Sequence, residues 1–271
     1  MSNLISANIS RIFRLASADI RRKPDYMIIG AQKSGTTTLF DLLSQHPDIR
    51  NPANKEMHYF DNRDIFSLRE YRSMYPISRD KLTGEATPIY LYYPGVPERI
   101  KSVFPACKFI AILRNPVYRA YSHYQMRVRR GKEPLSFEEA IAAEEQRLTQ
   151  AKEELARAPH RHNDGLLAHS YVDRGVYCRQ LENWYSIFDR RQLHVISYEH
   201  FISQPLREYG RLCDFLGIAR CDKVSLAQSN AYNYPDMLPT TKAQLQDYYQ
   251  PFNQELFELI EEKFPWDGAS A

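Results

Sequence analysis

The chain has 271 residues, of which 43% are hydrophobic and 25% charged, and its formal net charge at pH 7 is +3. This composition is typical of a soluble globular protein, and so small a net charge gives no reason to expect a nucleic-acid partner. The length fits one large α/β domain or two small ones.

The first 23 residues predict an amphipathic helix. They contain no apolar run long enough for a signal peptide or a membrane span, so we expect a cytoplasmic protein. Two interpretations of the helix stay open: peripheral contact with an anionic membrane, and packing on its own domain or on the second subunit of a homodimer. The apolar stripe of the helix consists of Ile5, Ile9, Ile12, Ala16 and Ile20.

The four cysteines, Cys107, Cys178, Cys213 and Cys221, show no spacing that is typical of a metal site. Without a secretory segment we expect reduced thiols. A bridge between Cys213 and Cys221 is the alternative that the sequence leaves open.

Apolar strands alternate with helices along most of the chain. The run "DYMIIG" (25–30), Lys108–Leu113 and Leu193–Glu199 predict strands. Helices are predicted in "TTTLFDLLSQHP", between Pro116 and Gly131, and in "PLREYGRLCDFLG". Buried strands that alternate with helices are typical of a central parallel sheet covered on both faces.

A highly charged segment interrupts this alternation. Residues from Ser136 to about Arg157 predict one helix, followed by the loop "APHRHNDG". The segment over about 132–170 is either a solvated charged helix or an insertion that lies over the cleft. We interpret His160 and His162, in the polar loop, as solvated side chains and not as metal ligands.

The sequence "GAQKSGTTTLF", Gly30–Phe40, follows the first predicted strand and opens a helix. Backbone N–H groups at such a position bind anions, and the three threonines add hydroxyl donors. A Walker A loop carries its lysine directly after the second glycine, whereas Lys33 lies inside this loop. A turn that only connects strand and helix is the alternative.

A second anion-binding position is predicted in the next strand–helix unit. Arg114 directly follows the strand Lys108–Leu113, and Ser122 lies two turns into the next helix. The carboxyl ends of parallel strands share one crevice, so Arg114 faces the same crevice as the first loop. The planar guanidinium suits a phosphate group.

These blocks resemble the PAPS-dependent sulfotransferases, which use 3′-phosphoadenylyl sulfate (PAPS). The 5′-phosphosulfate and 3′-phosphate loops of that family are similar to "PDYMIIGAQKSGTTTLFDLLSQHP" and "KFIAILRNPVYRAYSHY". Four further segments of the chain are similar to the heparan-sulfate and bacterial carbohydrate branch of that family: "KEMHYFD", "GEATPIY", "RGVYCRQLENWYSIFDRRQLHVISYEHF" and "YPDMLPTTKAQLQDYYQPFNQELFELI". The blocks run in the expected order from about Pro24 to Trp266.

The resemblance implies a single P-loop NTPase-like α/β domain over 24–271 that uses PAPS as co-substrate and no metal. It implies that Lys33 reaches the bridging oxygen of the phosphosulfate, where charge grows as the bond breaks. A lysine at this place argues against a P-loop kinase-like phosphotransferase, which is one rival; a non-catalytic nucleotide-binding protein is the other. The implied donor-binding residues are Lys33, Ser34, Gly35, Thr36, Thr37, Thr38, Arg114, Ser122 and Tyr177.

The chain departs from the heparan-sulfate branch at two places. The segment Asn230–Asn233 lacks the basic residues that help to hold the 3′-phosphate in that branch, and Lys242 or Arg114 takes their place in our interpretation. Ala86 stands where the branch has an acceptor-region lysine. This second departure argues against an acceptor as polyanionic as heparan sulfate.

Transfer of the sulfuryl group needs a base for the acceptor, and "NKEMHYFDN" offers Glu56, His58 and Asp61. In an extended segment Glu56 and His58 project to the same side. The resemblance implies that Glu56 is the catalytic carboxylate; His58 is either its partner or the base itself. Lys55 is expected to steady the carboxylate or the donor sulfate. The acceptor is expected to be a hydroxyl or amine of a carbohydrate, glycolipid or small metabolite.

Overall fold

The computed structural model describes residues 11–62, 64–65, 67–78, 80–158, 162–221, 224–225 and 234–266. Within these ranges the strands form one parallel sheet in the order β2-β1-β3-β4. The strands are β1 (Tyr26–Gly30), β2 (Gly84–Ala86), β3 (Lys108–Leu113) and β4 (Leu193–Ser197).

Helices precede, separate and follow these strands. Short 3₁₀ helices cover Ala18–Ile20, Asp173–Gly175 and Arg190–Gln192. The α-helices are α1 (residues 11–16), α2 (Thr36–Ser44), α3 (Leu68–Ser73), α4 (Val96–Val103), α5 (Pro116–Arg129), α6 (Phe137–Ala142), α7 (Glu144–Arg157), α8 (Asp164–His169), α9 (Tyr177–Ile187), α10 (Tyr198–Ser203), α11 (Pro205–Leu216) and α12 (Pro239–Ile260).

The sheet is buried on both faces, which explains why its central strands are apolar at nearly every position. Along a strand, successive side chains point to opposite faces. Ile28 and Ile110 pack with Leu39 of α2 on one face, whereas Met27 and Phe109 belong to the core on the other. The predicted parallel sheet with helices on both faces is therefore confirmed.

The predicted element boundaries were wrong in three places. The charged helix is divided at Ala143, and the residue that begins its second part, Glu144, is buried and accepts hydrogen bonds from the backbone N–H groups of Val172 and Asp173. The predicted third strand ends early, at Ser197, whose side chain caps α10. The edge strand β2 was missed, because its three residues are too few to show any periodicity.

None of the helices in the described ranges combines the length and hydropathy that a membrane-spanning segment needs. All four thiols are free, so the alternative of a bridge between Cys213 and Cys221 is not realised. In the described part of α1, Ile12 and Phe13 are exposed, as are Ala16 and Ile20 further on.

Candidate active site

The loop between β1 and α2 has a backbone that requires glycine at one position. Gly35 adopts a left-handed φ of 85°, and a Cβ atom there would lie 3.1 Å from the ring of Tyr198. Gly35 is also the N-cap residue of α2, and no side chain caps this helix. The first N–H groups of α2 are therefore left for a ligand, and the helix dipole favours an anion.

The hydroxyl groups of this loop differ in exposure. Ser34 and Thr36 are buried, Thr38 is half-buried and Thr37 is exposed. In the described part of the chain, Ser34 Oγ has no partner with hydrogen-bond geometry, although the Tyr177 hydroxyl lies near it. A buried hydroxyl without a partner is costly, and a donor phosphate in this loop would supply one.

Several cations converge on Lys33. Burial, followed by the positive charges of Arg129, Arg114 and Arg130, lowers the pKa of Lys33 to about 8. Arg114 reaches the site from the end of β3, while Arg129 and Arg130 lie at the C-terminal end of α5. Because like charges repel here, an anionic ligand would relieve the repulsion, and the residues fit a donor with a phosphate and a sulfate.

Arg114 lies at the carboxyl end of β3, as predicted, beside the first loop. Its Nη1 lies 3.5 Å from the backbone oxygen of Lys33, and its guanidinium packs 5.1 Å from the ring centre of Tyr198. Tyr177 is buried and donates a hydrogen bond of 2.9 Å to the backbone oxygen of Arg114. Tyr177 therefore supports the backbone that carries Arg114. Ser122 is buried in α5, the helix that begins two residues after Arg114.

Glu56 and His58 come together, but not through the extended backbone that the sequence predicted. Both residues have left-handed φ angles, of 57° and 55°. Glu56 Oε2 lies 3.9 Å from His58 Nε2, and His58 Nδ1 lies 2.9 Å from Oδ2 of the buried Asp61. The predicted extended conformation is wrong, and an irregular backbone with these two left-handed residues brings the side chains together instead.

The pKa values of Glu56 and His58 distinguish the two candidate bases. Burial lowers the pKa of His58, but its contacts with Asp61 and Glu56 outweigh this effect and raise that pKa to about 10. The interaction with His58 is also the main cause that lowers the pKa of Glu56, which Lys55 and Arg130 lower further. At neutral pH, His58 is therefore an imidazolium and Glu56 a carboxylate.

Lys55, the neighbour of Glu56 in sequence, connects this segment to the anion-binding loop between β1 and α2. Its Nζ donates a hydrogen bond to Thr37 Oγ1, in the first turn of α2. The backbone N–H of Glu56 donates to the oxygen of Ala86 in β2, at 2.9 Å. These two contacts hold the backbone that carries Glu56 next to the anion-binding loop.

The prediction that His162 is solvated was wrong. His162 Nδ1 lies 3.3 Å from Oδ2 of Asp61, and its side chain is only 25% exposed. His160 lies outside the described residues. Within the described ranges, no group of three or more His, Cys, Asp and Glu side chains is arranged to hold a metal ion.

Comparison with known proteins decides the family. A family model described as the sulfotransferase domain matches residues 23–253. This chain belongs to the sulfotransferase family. PAPS is the sulfuryl donor of that family, so this enzyme is a transferase that uses PAPS. The resemblance seen in the sequence is confirmed.

Individual relatives agree with this assignment. The sulfotransferase is 31% identical to heparan sulfate glucosamine 3-O-sulfotransferase 6 of Mus musculus, over 91% of this chain and 75% of that protein. It is 32% identical to the crystal structure of a sulfotransferase from Alicyclobacillus acidocaldarius, with a TM-score of 0.76 over 90% of this chain and 98% of that one. The predicted P-loop NTPase-like α/β fold is confirmed.

Of the two departures noted in the sequence, the one at Ala86 lies in the described part of the chain, as does Lys242, the suggested substitute for the other. Ala86 is buried in β2, and Lys242 Nζ lies 5.2 Å from the ring centre of Tyr118. The segment Asn230–Asn233 lies outside the described residues.

Sequence reasoning did not single out Arg129, Arg130 and Tyr198. The two arginines end α5, where basic residues are common in any helix because they complement its dipole. Only the fold brings this end of α5 close to Lys33. Tyr198 carried no signal either, since it directly follows β4 and packs against the loop only in the folded chain.

Proposed function

We propose that this sulfotransferase transfers the sulfuryl group of PAPS to a hydroxyl group of a carbohydrate. The hydrogen bond from Lys55 to Thr37 carries the proposal, because it holds the backbone that carries Glu56 beside the donor loop. The carbohydrate acceptor follows the relatives, one of which is named for heparan sulfate glucosamine. An amine, a glycolipid and a small metabolite are the other acceptors that the site chemistry accommodates.

In this proposal, PAPS is held by residues that follow the carboxyl ends of β1 and β3. The N–H groups at the start of α2, with Ser34 and the threonine hydroxyls, bind the 5′-phosphosulfate. Arg114 and Ser122 bind the 3′-phosphate, and Tyr177 fixes the backbone of Arg114. Lys33 places its charge at the bridging oxygen, where negative charge develops in the transition state.

Glu56 takes the proton of the acceptor, and His58 orients Glu56. An imidazolium with a pKa of about 10 cannot accept a proton at neutral pH, whereas an ionised carboxylate can. As the acceptor oxygen bonds to sulfur, the bond from sulfur to the bridging oxygen breaks. The electron pair of that bond leaves with adenosine 3′,5′-bisphosphate, and the acceptor proton moves to Glu56.

The proposal is tested by incubating the purified chain with labelled PAPS and three acceptor panels: glycans, glycolipids and small metabolites. Mass spectrometry then identifies the products that have gained a sulfate. We expect label on a glycan hydroxyl and no label with Glu56→Gln. Label confined to an amine or to a small metabolite would refute the carbohydrate acceptor, and transfer from ATP with Mg²⁺ instead of PAPS would refute the reaction itself.

We further propose that α1 brings the enzyme to an anionic membrane surface from the cytoplasm. Ile12 and Phe13 are 67% and 62% exposed, and Arg14 beside them is exposed too. Apolar and basic side chains together favour anionic lipid. Sedimentation with anionic vesicles tests this proposal, and Ile12→Ser with Phe13→Ser should abolish the binding. Loss of a dimer in the double variant, with no vesicle binding in the parent, would assign the face to a second subunit.

A further inference from the structure

Two histidines from distant parts of the chain share one carboxylate oxygen. His58 Nδ1 lies 2.9 Å and His162 Nδ1 lies 3.3 Å from Oδ2 of Asp61. The two imidazole rings are nearly perpendicular, with their centres 6.0 Å apart. The side chain of Asp61 has no exposed surface, so its charge depends on these neighbours.

The position of His162 is fixed by the residue that follows it. Asn163 is buried and is the N-cap of α8, where its side chain accepts a hydrogen bond from Leu166 N. It also donates from Nδ2 to the oxygen of Ala151, and its backbone N–H donates to the hydroxyl of Tyr93. These bonds tie the backbone to α7, to α8 and to the loop that carries Tyr93, so the fold fixes the backbone directly after His162.

The second oxygen of Asp61, Oδ1, is buried and has no hydrogen-bond partner among the described residues. Of the two imidazoles at Oδ2, His58 makes a hydrogen bond, whereas His162 Nδ1 lies in contact at 3.3 Å without hydrogen-bond geometry. The orientation of the carboxylate therefore depends on this bond to His58 and on the packing of the His162 ring against the same oxygen. If His162 were removed, the carboxylate of Asp61 could rotate. The contact between Asp61 Oδ2 and His58 Nδ1 would then be weakened. Burial raises the pKa of Asp61, but the contacts with His162 and His58 outweigh it and lower that pKa.

We propose that His162 is a positioning residue for the transfer reaction: it holds Asp61 in the orientation that supports His58, and His58 in turn orients Glu56. The proposal rests on the proposed function only where it concerns Glu56. It also connects α7 and α8 to the segment that carries Glu56 and His58, so that the orientation of the base depends on how the chain around Asn163 is packed.

The first test compares steady-state rates of His162→Ala, His162→Gln and a matched control, His169→Gln. His169 lies in the same region, but it contacts Arg147 and Glu133 and not Asp61. We expect kcat to fall by up to about tenfold in His162→Ala, since removing the ring takes away a contact worth no more than one hydrogen bond to a charged group, while KM for PAPS stays within about twofold. The glutamine amide can still donate to Asp61, so His162→Gln should recover most of the rate.

The second test is an NMR titration of the His58 ring in the folded chain without substrate. If His162 positions Asp61, the pKa of His58 should fall by about one unit or more in His162→Ala and return in His162→Gln. The charges that face His58 are Glu56 and Asp61. Buried groups that also sense the charge of Asp61 are Glu85, Tyr90 and Tyr93, which these substitutions leave in place.

Each outcome has a distinct meaning. An unchanged kcat and an unchanged His58 titration in a folded His162→Ala would overturn the proposal, and so would an equal loss of rate in His169→Gln. A rise in the pKa of His58 would show that His162 only competes for Asp61. If the wild-type chain sulfates no acceptor, the proposed function fails, but the titration still decides whether His162 positions Asp61.

Discussion

The pH dependence of PAPS capture should follow the protonation of Lys33. The pKa of this lysine in the free enzyme is about 8, chiefly because of burial and then because of the charges of Arg129, Arg114 and Arg130. If the charged form binds the phosphosulfate, kcat/KM for PAPS reports the pKa of the free enzyme. The value of kcat/KM should therefore be high below pH 8 and fall as the pH rises through 8.

The size of the fall follows from the protonated fraction. With a pKa of about 8, roughly 90% of Lys33 is charged at pH 7 and roughly 10% at pH 9, so kcat/KM should fall about tenfold between them. Arg129→Gln removes the largest of the three charge effects on Lys33. The pKa should then rise and the alkaline limb should move to higher pH.

The assay measures initial rates with labelled PAPS at a saturating acceptor concentration, from pH 6.5 to 10, for the wild type and Arg129→Gln. The limb in kcat should lie at higher pH than the limb in kcat/KM, because bound PAPS places negative charge beside the lysine. A flat kcat/KM profile, or a limb that moves to lower pH in Arg129→Gln, would refute the assigned environment of Lys33.

Three further changes test other parts of the site. Glu56→Gln should lower kcat by roughly a hundredfold or more and leave PAPS affinity nearly unchanged, as rates and calorimetry would show; near-normal turnover would remove Glu56 as the base. Arg114→Ala should weaken adenosine 3′,5′-bisphosphate far more than the nucleotide without the 3′-phosphate, measured as shifts in melting temperature; equal losses would contradict a 3′-phosphate contact. Gly35→Ala should destabilise the fold by about 1–2 kcal/mol from backbone strain, and by more because its Cβ would lie 3.1 Å from the ring of Tyr198, and it should weaken PAPS binding. In Gly131→Ala, also at positive φ, the new Cβ would meet no atom within 4 Å, so this variant isolates the strain; equal losses of stability would exclude the clash.

The placement of Lys33 and Arg114 at neighbouring strand ends was predictable because it depends on short stretches of sequence. Lys33 and Arg114 each follow a run of apolar residues that can only be a buried strand, and the ends of neighbouring parallel strands meet. The sequence predicted that Glu56 and His58 lie together, but on an extended backbone. The left-handed φ angles that these two residues adopt could not be predicted, because such angles at non-glycine residues have no sequence signal.

The contact between Asp61 and His162 could not be predicted in the same way. About a hundred residues separate them, and the contact depends on where Asn163 is anchored by α7 and Tyr93. Histidine in a polar loop is usually solvated, so the local composition pointed to the opposite conclusion. Such a contact follows from tertiary packing alone, as does the approach of Arg129 to Lys33.

The crowding of Lys33 by arginines has a consequence for the lifetime of the protein. Repulsion among these cations remains in the free enzyme and is relieved when a polyanionic nucleotide binds, so the ligand-free fold is the less stable form. A ligand at a hundred times its Kd adds about 2.7 kcal/mol to the free energy of unfolding. Because degradation samples the unfolded chain, a cell that runs short of PAPS and adenosine 3′,5′-bisphosphate would also lose this enzyme faster.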